Sequence, residues 1–234
     1  MLSIPCMPSN EEQRLKILRQ LDILDTEAEE SFDDLVHLAS YMCRTPIALV
    51  TLVDADRQWF KARKGLDVQE TSREASFCAH AVADDATLVV RDTLQDVRFS
   101  ANPLVLGAPR IRFYAGVPMR TREGLPMGTL CVIDRQPRQL SDDQLDALKR
   151  LSRQASQLLE QHRQWGQLSK MLDDLKLLSG FIPICSYCRK MRTKDDAWVT
   201  LEQFILEHSG AVLTHGMCDT CFARETISLK QNKP

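Results

Sequence analysis

The chain has 234 residues, with 30 Lys and Arg against 32 Asp and Glu, for a formal net charge of −2. At about 150 residues per domain, this length suits one medium domain plus a small second unit. With 44% apolar and 26% charged residues the composition is globular, which excludes a chain dominated by disorder, and the near balance of charge argues against general nucleic-acid binding. The N-terminus has no basic start, and the longest apolar run, residues 46–53, is far short of the ~20 residues of a membrane span. The expected compartment is the cytoplasm, where thiols stay reduced.

Residues 11–24 place Leu15, Ile17, Leu18, Leu21 and Leu24 on a helical face, and Ser9 with Glu12 reads as a capping box. A second helical pattern over 31–43 aligns Phe32, Leu35, Leu38, Ala39 and Met42. From residue 46 the period changes to that of two strands joined at Asp54-Ala55-Asp56. Residues 76–85 open a short helix with Ser76 as N-cap, and 87–93 read as a strand. Residues 98–111 read as a loop or short helix broken by Pro103 and Pro109, and 113–137 as two strands turning at Arg122-Glu123-Gly124. Ser141-Asp-Asp-Gln144 caps a long helix. If residues 141–179 are all helical, the rod is about 58 Å long at ~1.5 Å per residue. Its stripe, from Leu145 through Leu148, Leu151, Ala155, Leu158 and Trp165 to Leu178, is too long for a domain of this size to hide, so pairing with a second copy is expected. His162 takes a seam position, where a polar residue sets register. The pattern resets at Leu168 as a stammer beside Gly166.

Eight cysteines are present, and four of them, Cys6, Cys43, Cys78 and Cys131, are isolated. The other four form Cys185-Ser-Tyr-Cys188 and Cys218-Asp-Thr-Cys221. Two residues between thiolates let both face one tetrahedral ion, so the two pairs together make a closed, structural zinc site. Residues 189–217 between them exceed the ~15–20 of a zinc ribbon. The insert carries its own capping box, Thr200 to Gln203, opening a helix with Leu201, Phe204, Ile205 and His208 inward, and 210–214 then reads as a returning strand. The order suits a treble-clef-like module. His215 is a competing ligand, and a reduced or redox-active dithiol is the alternative to metal. Arg189, Lys190, Arg192 and Lys194 give mild support to nucleic-acid binding, set against Asp195 and Asp196.

Residues 12–160 resemble a bacterial GAF domain of the sensory type. The resemblance is carried by RLKILRQLDILDT at 14–26, FDDLVHLA at 32–39, PIALVTLVDADRQWFKARKGL at 46–66, ETSREASFCAHAV at 70–82, LVVRDTLQDVRFSANPLVLGAPRIRFYAGVP at 88–118 and GTLCVIDRQPRQLS at 128–141. The cysteine-rich tail resembles an appendage of bacterial two-component and related signalling proteins. The first resemblance implies an α+β fold, an antiparallel sheet of five or six strands flanked by helices, with a ligand cavity under residues 70–82 and 99–114. It implies a sensory, non-catalytic role and dimerisation through flanking helices. The expected organisation is a tail at 1–11, the GAF domain at 12–140, the signalling helix at 141–180, the zinc module at 181–226 and a tail at 227–234.

Candidate ligand contacts are Trp59, Phe77, Cys78, His80, Asp92, Arg112 and Tyr114. Cys78 and His80 do not form the Cys-His dipeptide of bilin-binding relatives, because Ala79 intervenes. Some GAF proteins reduce free methionine sulfoxide, which makes a thiol-based redox enzyme or sensor using Cys78 the alternative function. That chemistry needs a resolving thiol, and the 95–110 loop has none. No phosphate-binding loop, kinase core or GG[DE]EF run follows. The reading is therefore a bacterial sensor or regulator whose GAF domain takes a small ligand or serves as a dimerisation scaffold. Its helix would shift between two paired arrangements and relay to an unidentified signalling partner.

Overall fold

The computed structural model describes residues 10–179, 183–193, 195–208 and 211–222, with backbone alone for 173–179. These residues fall into two compact units divided between Leu168 and Ser169.

The first unit is built on a six-stranded sheet in which every neighbouring pair is antiparallel. Its strands are β1 (Ile47–Val53), β2 (Arg57–Lys64), β3 (Glu70–Ser72), β4 (Leu88–Val90), β5 (Phe113–Arg120) and β6 (Pro126–Asp134), in the order β3-β2-β1-β6-β5-β4. β1, β5 and β6 are buried on both faces and read as continuous apolar runs rather than alternations. Helices α1 (Glu11–Gln20), α2 (Glu30–Cys43) and the first half of α5 (Asp142–Ser179) cover one face, packing on Ala48, Val50, Val117 and Leu130. The short helices α3 (Phe77–Ala83) and α4 (Pro103–Leu106) cover the other, over Leu49, Phe60, Tyr114, Cys131 and Ile133. The register of β1 on β2 shifts at Val50/Thr51, leaving Lys61 as an extra residue. Its ammonium is fully buried on the α2 side, donating to Thr26 Oγ1 and the Glu27 carbonyl at 2.8 Å and pairing with Glu29 at 2.6 Å.

Caps follow the sequence at three helices. Ser76 Oγ accepts the Ala79 N–H at 2.9 Å. Ser141 and Gln144 bond reciprocally, at 3.2 and 3.0 Å. Thr200 Oγ1 accepts the Gln203 N–H at 3.2 Å, opening α6 (Leu201–His208). The cap expected at Ser9 lies outside the described residues; α1 is entered through Asn10 with no side-chain cap bond. Pro103 does not break its segment but starts α4 at the first turn, where a missing N–H costs nothing.

Two expectations for α5 are corrected. Its stripe is hidden in the domain as far as Leu159: Leu148, Ala155 and Leu159 are buried in the core and Ser152 Oγ donates to the Val117 and Pro118 carbonyls at 3.2 and 3.1 Å. His162 is no seam residue but lies against the domain, 3.3 Å from the Asp22 carbonyl and 3.5 Å from Glu29. The sheet is wide enough to seat about five turns of helix. Only beyond this does the stripe emerge, with Trp165, Leu168, Met171 and Leu172 exposed.

In the second unit β7 (Met191–Arg192) pairs with β8 (Trp198–Val199), and next to them the Thr193 N–H donates to the Ala197 carbonyl at 2.8 Å. The returning strand expected at 210–214 is not formed over its described residues, 211–214. Met191 has a strand partner eight residues away, which costs less chain closure than a distant one. Phe204 is buried on α6 and stacks on His208 at 4.3 Å. Leu201, expected inward, is half exposed.

A candidate ligand cavity between the sheet and helix α3

Strand alternation decides what faces α3. Leu49 and Thr51 of β1, Gln58 and Phe60 of β2, Tyr114 and Gly116 of β5 and Thr129, Cys131 and Ile133 of β6 project to that side. Between this floor and α3, with α4 at the rim, lies a partly open cavity of about 300 Å³, at the lower end of the size range of small-molecule sites. Its wall is mainly apolar and aromatic, with Phe60, Phe77 and Tyr114. Phe77 stacks on Phe99 at 4.1 Å and on Tyr114 at 5.1 Å, which holds the aromatic wall rigid.

The polar groups at the wall are few. Ser76, besides capping α3, bonds Gln58 Oε1 through its hydroxyl. Thr71 presents a buried hydroxyl with no hydrogen-bond partner among the described residues, the kind of group whose burial costs free energy until something pairs with it. Asp67 is the one charged residue on the described lining, and it is exposed.

Of the seven candidate contacts, the structure brings Phe77, Cys78 and Tyr114 together on this wall and places four elsewhere. Trp59 alternates to the opposite face and packs in the helix-side core. His80 is buried on α3 but stands edge-on to Phe99 at 4.9 Å, away from the lining. Asp92 folds onto its own turn, accepting the Leu94 N–H at 3.1 Å and the Gln95 amide at 2.9 Å. Arg112 spends its guanidinium on the Val105 and Ile111 carbonyls at 2.9 Å, bracing α4.

At the inner end of the cavity the Tyr114 hydroxyl donates to Cys78 Sγ at 3.2 Å, and Cys131 Sγ lies 3.9 Å from Cys78 Sγ. Burial opposes ionisation of Cys78, but hydrogen bonds from Cys131, Thr129, Thr51 and Tyr114 outweigh it and hold the thiol at about 7. Burial, with the Cys78 sulfur beside it, pushes Cys131 the other way, well above the ordinary thiol range. Sequence reading missed Cys131 because it is 53 residues from Cys78 and looked like an ordinary strand residue. The alternation of β6 was the signal that could have placed it on the cavity face.

The candidate metal ligands lie in two CxxC pairs. The Cys185 thiol is held below its ordinary range by backbone N–H groups of Cys188 and Tyr187, and the Cys218 thiol by that of Cys221. Arg189, next after Cys188, takes a positive φ of 61°, and its N–H returns to the Cys185 carbonyl at 3.0 Å. Among the described residues no group of three or more His, Cys, Asp or Glu is assembled around one point, and His215 joins neither pair. Of the basic cluster, Arg192 pairs with Asp196 at 3.0 Å, and Lys194 lies outside the described residues.

Comparison with known proteins matches this architecture. The GAF domain family matches residues 27–159. A 137-residue stretch is 46% identical to the cyclic di-GMP phosphodiesterase PA2567 of Pseudomonas aeruginosa, covering 58% of this chain and 23% of that protein. The chain therefore spans less than a quarter of the length of this curated relative. The GAF domain of an Acinetobacter phosphoenolpyruvate-protein phosphotransferase superposes with a TM-score of 0.50 at 20% identity, over 66% of this chain and 95% of that one. The blue-light absorbing form of the Thermosynechococcus elongatus PixJ GAF domain does so with 0.50 at 16% identity, over 68% and 95%. These two show the fold alone. With more than half of the residues matched and the sheet, flanking helices and cavity in place, the chain belongs to the GAF domain family.

Proposed function

We propose that this chain is the input and relay part of a bacterial cytoplasmic signalling protein, in which the GAF cavity takes a small uncharged or cationic ligand and α5 carries the response to the cysteine-rich unit. The observation that carries this reading is the partly open cavity of about 300 Å³, walled by aromatics and carrying at Thr71 a buried hydroxyl with no partner among the described residues. The described lining contains no lysine or arginine. An anionic ligand would leave water without a compensating cation, which disfavours a cyclic dinucleotide with its two phosphates. The kinship with a phosphodiesterase of cyclic di-GMP is therefore read as kinship of its regulatory segment, and no catalytic role is assigned to this chain.

The relay has a physical basis in β5. On one face this strand carries Tyr114, at the cavity; on the other, its Val117 and Pro118 carbonyls accept from Ser152 of α5, and its Arg120 N–H donates to Ser156 Oγ at 3.0 Å. Exposed Trp165, Leu168, Met171 and Leu172 on α5 support pairing with a second copy of the chain. Cys185, Cys188, Cys218 and Cys221 would hold a structural zinc ion, which would supply the folding energy that so small a unit lacks in its core. That unit would then be the surface offered to a signalling partner.

Native mass spectrometry of the full chain, purified without added metal, tests all three parts at once. The expected spectrum is a dimer with one zinc per chain and an additional small-molecule mass that Leu66→Trp, placed at the cavity wall, removes. A metal-free monomer whose mass is that of the polypeptide alone would overturn the reading.

A further inference from the structure

Ligand binding and relay through α5 make no use of the buried thiols. We propose that Cys78 and Cys131 form an oxidisable dithiol, in which a hydroperoxide admitted through the cavity oxidises Cys78 and Cys131 then closes a disulfide from α3 to β6. The geometry assigns the two roles. Cys78 lies on the cavity wall, so a small oxidant can reach its sulfur; Cys131 lies outside the lining, on the floor strand behind it. The sulfurs are 3.9 Å apart, and a disulfide of about 2.05 Å requires them to approach by roughly 1.9 Å. Only α3 has to yield, since Cys131 is fixed in the middle of β6 between β1 and β5. α3 is seven residues long and anchored at its first turn by Ser76.

In the first step the Cys78 sulfur attacks the terminal peroxide oxygen. An S–O bond forms, the O–O bond breaks, and the departing alkoxide or hydroxide leaves with the proton given up by the Cys78 thiol. The Tyr114 hydroxyl, 3.2 Å from Cys78 Sγ, is placed to hold the thiolate before attack. In the second step the Cys131 sulfur attacks the Cys78 sulfenic acid. The S–S bond forms, the S–O bond breaks, and the hydroxyl leaves as water with the Cys131 proton. Two thiols and one hydroperoxide give one disulfide, one alcohol (or water) and one water, so atoms and electrons balance without a cofactor. The order follows from acidity as well. Cys78 is the thiol that ionises near neutrality, and Cys131 stays protonated until it is needed. Closing the bond takes Cys78 Sγ away from Tyr114 and draws α3 onto the sheet, so oxidation would reshape the same cavity.

The test exposes the full chain to graded hydrogen peroxide, blocks free thiols with N-ethylmaleimide in denaturant, and maps every cysteine by peptide mass spectrometry. Peptide resolution keeps the four C-terminal cysteines from obscuring the result. The expected product is a peptide linked through Cys78 and Cys131 that dithiothreitol reverses. Cys131→Ser should stop the reaction at a Cys78 sulfenic acid that dimedone captures; Cys131→Ala serves if the serine variant does not fold, and the wild-type map stands without either. Both thiols fully blocked at peroxide levels that oxidise the C-terminal pairs would overturn the proposal. So would Cys78 oxidised to sulfinic acid beside a free Cys131, or either cysteine linked elsewhere.

Discussion

Gly116 is the position where one methyl group tests the packing of the cavity floor. A Cβ added there would stand 2.1 Å from Tyr114 Oη, 2.6 Å from Cζ and 3.0 Å from Cε1, against ordinary contact from 3.4 Å. In Gly116→Ala the hydroxyl therefore has to retreat by about 1.3 Å and the ring carbon by about 0.8 Å. The tyrosine is fully buried, stacked on Phe77 and fixed in β5, so it has little room to move. Overpacking of this kind costs about 1–3 kcal/mol. The hydrogen bond to Cys78 is lost with the retreat, for a further ~1 kcal/mol. Together these give about 2–4 kcal/mol, or a Tm lower by about 4–16 °C at 2–4 °C per kcal/mol. Tyr114→Phe alone removes the hydroxyl and should cost only the ~1 kcal/mol of the bond. The double variant no longer has the 2.1 Å contact, so it should be more stable than the two single losses predict, by about 1 kcal/mol. Urea denaturation of the four proteins measures this cycle. Wild-type stability in Gly116→Ala, or strictly additive losses, would refute the idea that the Tyr114 hydroxyl occupies the space a side chain at 116 would need.

Cys78 should be alkylated by iodoacetamide with a rate that rises through pH about 7, and Tyr114→Phe should move that midpoint upward; the groups that set it are Cys131, Thr129, Thr51 and Tyr114. Ser76→Ala removes the α3 N-cap and should cost about 1 kcal/mol in urea denaturation. Glu11, held down to about 2 against burial by Arg14 and Arg73, contributes stability that is full above 4.5 and lost as the pH falls toward 2. Unscreened, that shift is about 3 kcal/mol, and solvent at the cluster's edge reduces it to about 1–2; Glu11→Gln should flatten this acid limb in denaturation curves taken between pH 2 and 6. If Cys185, Cys188, Cys218 and Cys221 hold zinc as proposed, its chelation should unfold the C-terminal unit, read as a loss of helical circular dichroism, while leaving the Tm of the GAF unit unchanged.

Most of the helices and the longer strands were legible because each carried its own local signal. Ser76, Ser141 and Thr200 are capping residues whose bonds are local, and all three form as the spacing predicts. Five of the six strands of the sheet were legible from apolar runs and turn residues, such as Gly124 with its φ of 83°, whereas the three-residue β3 was not. What was not legible was the sidedness of the sheet. One residue of offset moves a side chain to the other face: Trp59 went to the helix side, while its neighbours Gln58 and Phe60 face the cavity. The surplus residue at Lys61 resets that alternation within one strand, and nothing in RQWFKARK announces it. Likewise, helical period shows that α5 has an apolar stripe but not how far a sheet will cover it. His162 looked like a seam residue because its partners, Asp22 and Glu29, come from more than 130 positions away.

The placement of polar groups across β5 bears on how a change in the cavity would travel. A strand is stiff along its length because ladder bonds hold it, here to β6 throughout and to β4 over Tyr114–Gly116. Tyr114 and the carbonyls that hold Ser152 lie within five residues of each other on that strand, so a movement of the tyrosine ring cannot be absorbed by a loop between them. The Tyr114 hydroxyl occupies the space beside Gly116 that a side chain there would need, so displacement of the ring by a ligand would be felt next to that residue. The next residues are Val117 and Pro118, whose carbonyls accept from Ser152, and Arg120, which donates to Ser156 one turn further along α5. Leu148, Ala155 and Leu159 flank those two serines in the helix-side core. A rotation or shift of α5 that kept these side chains packed would therefore be carried to the exposed stripe at 165–172, because a helix transmits rotation along its axis more readily than it bends.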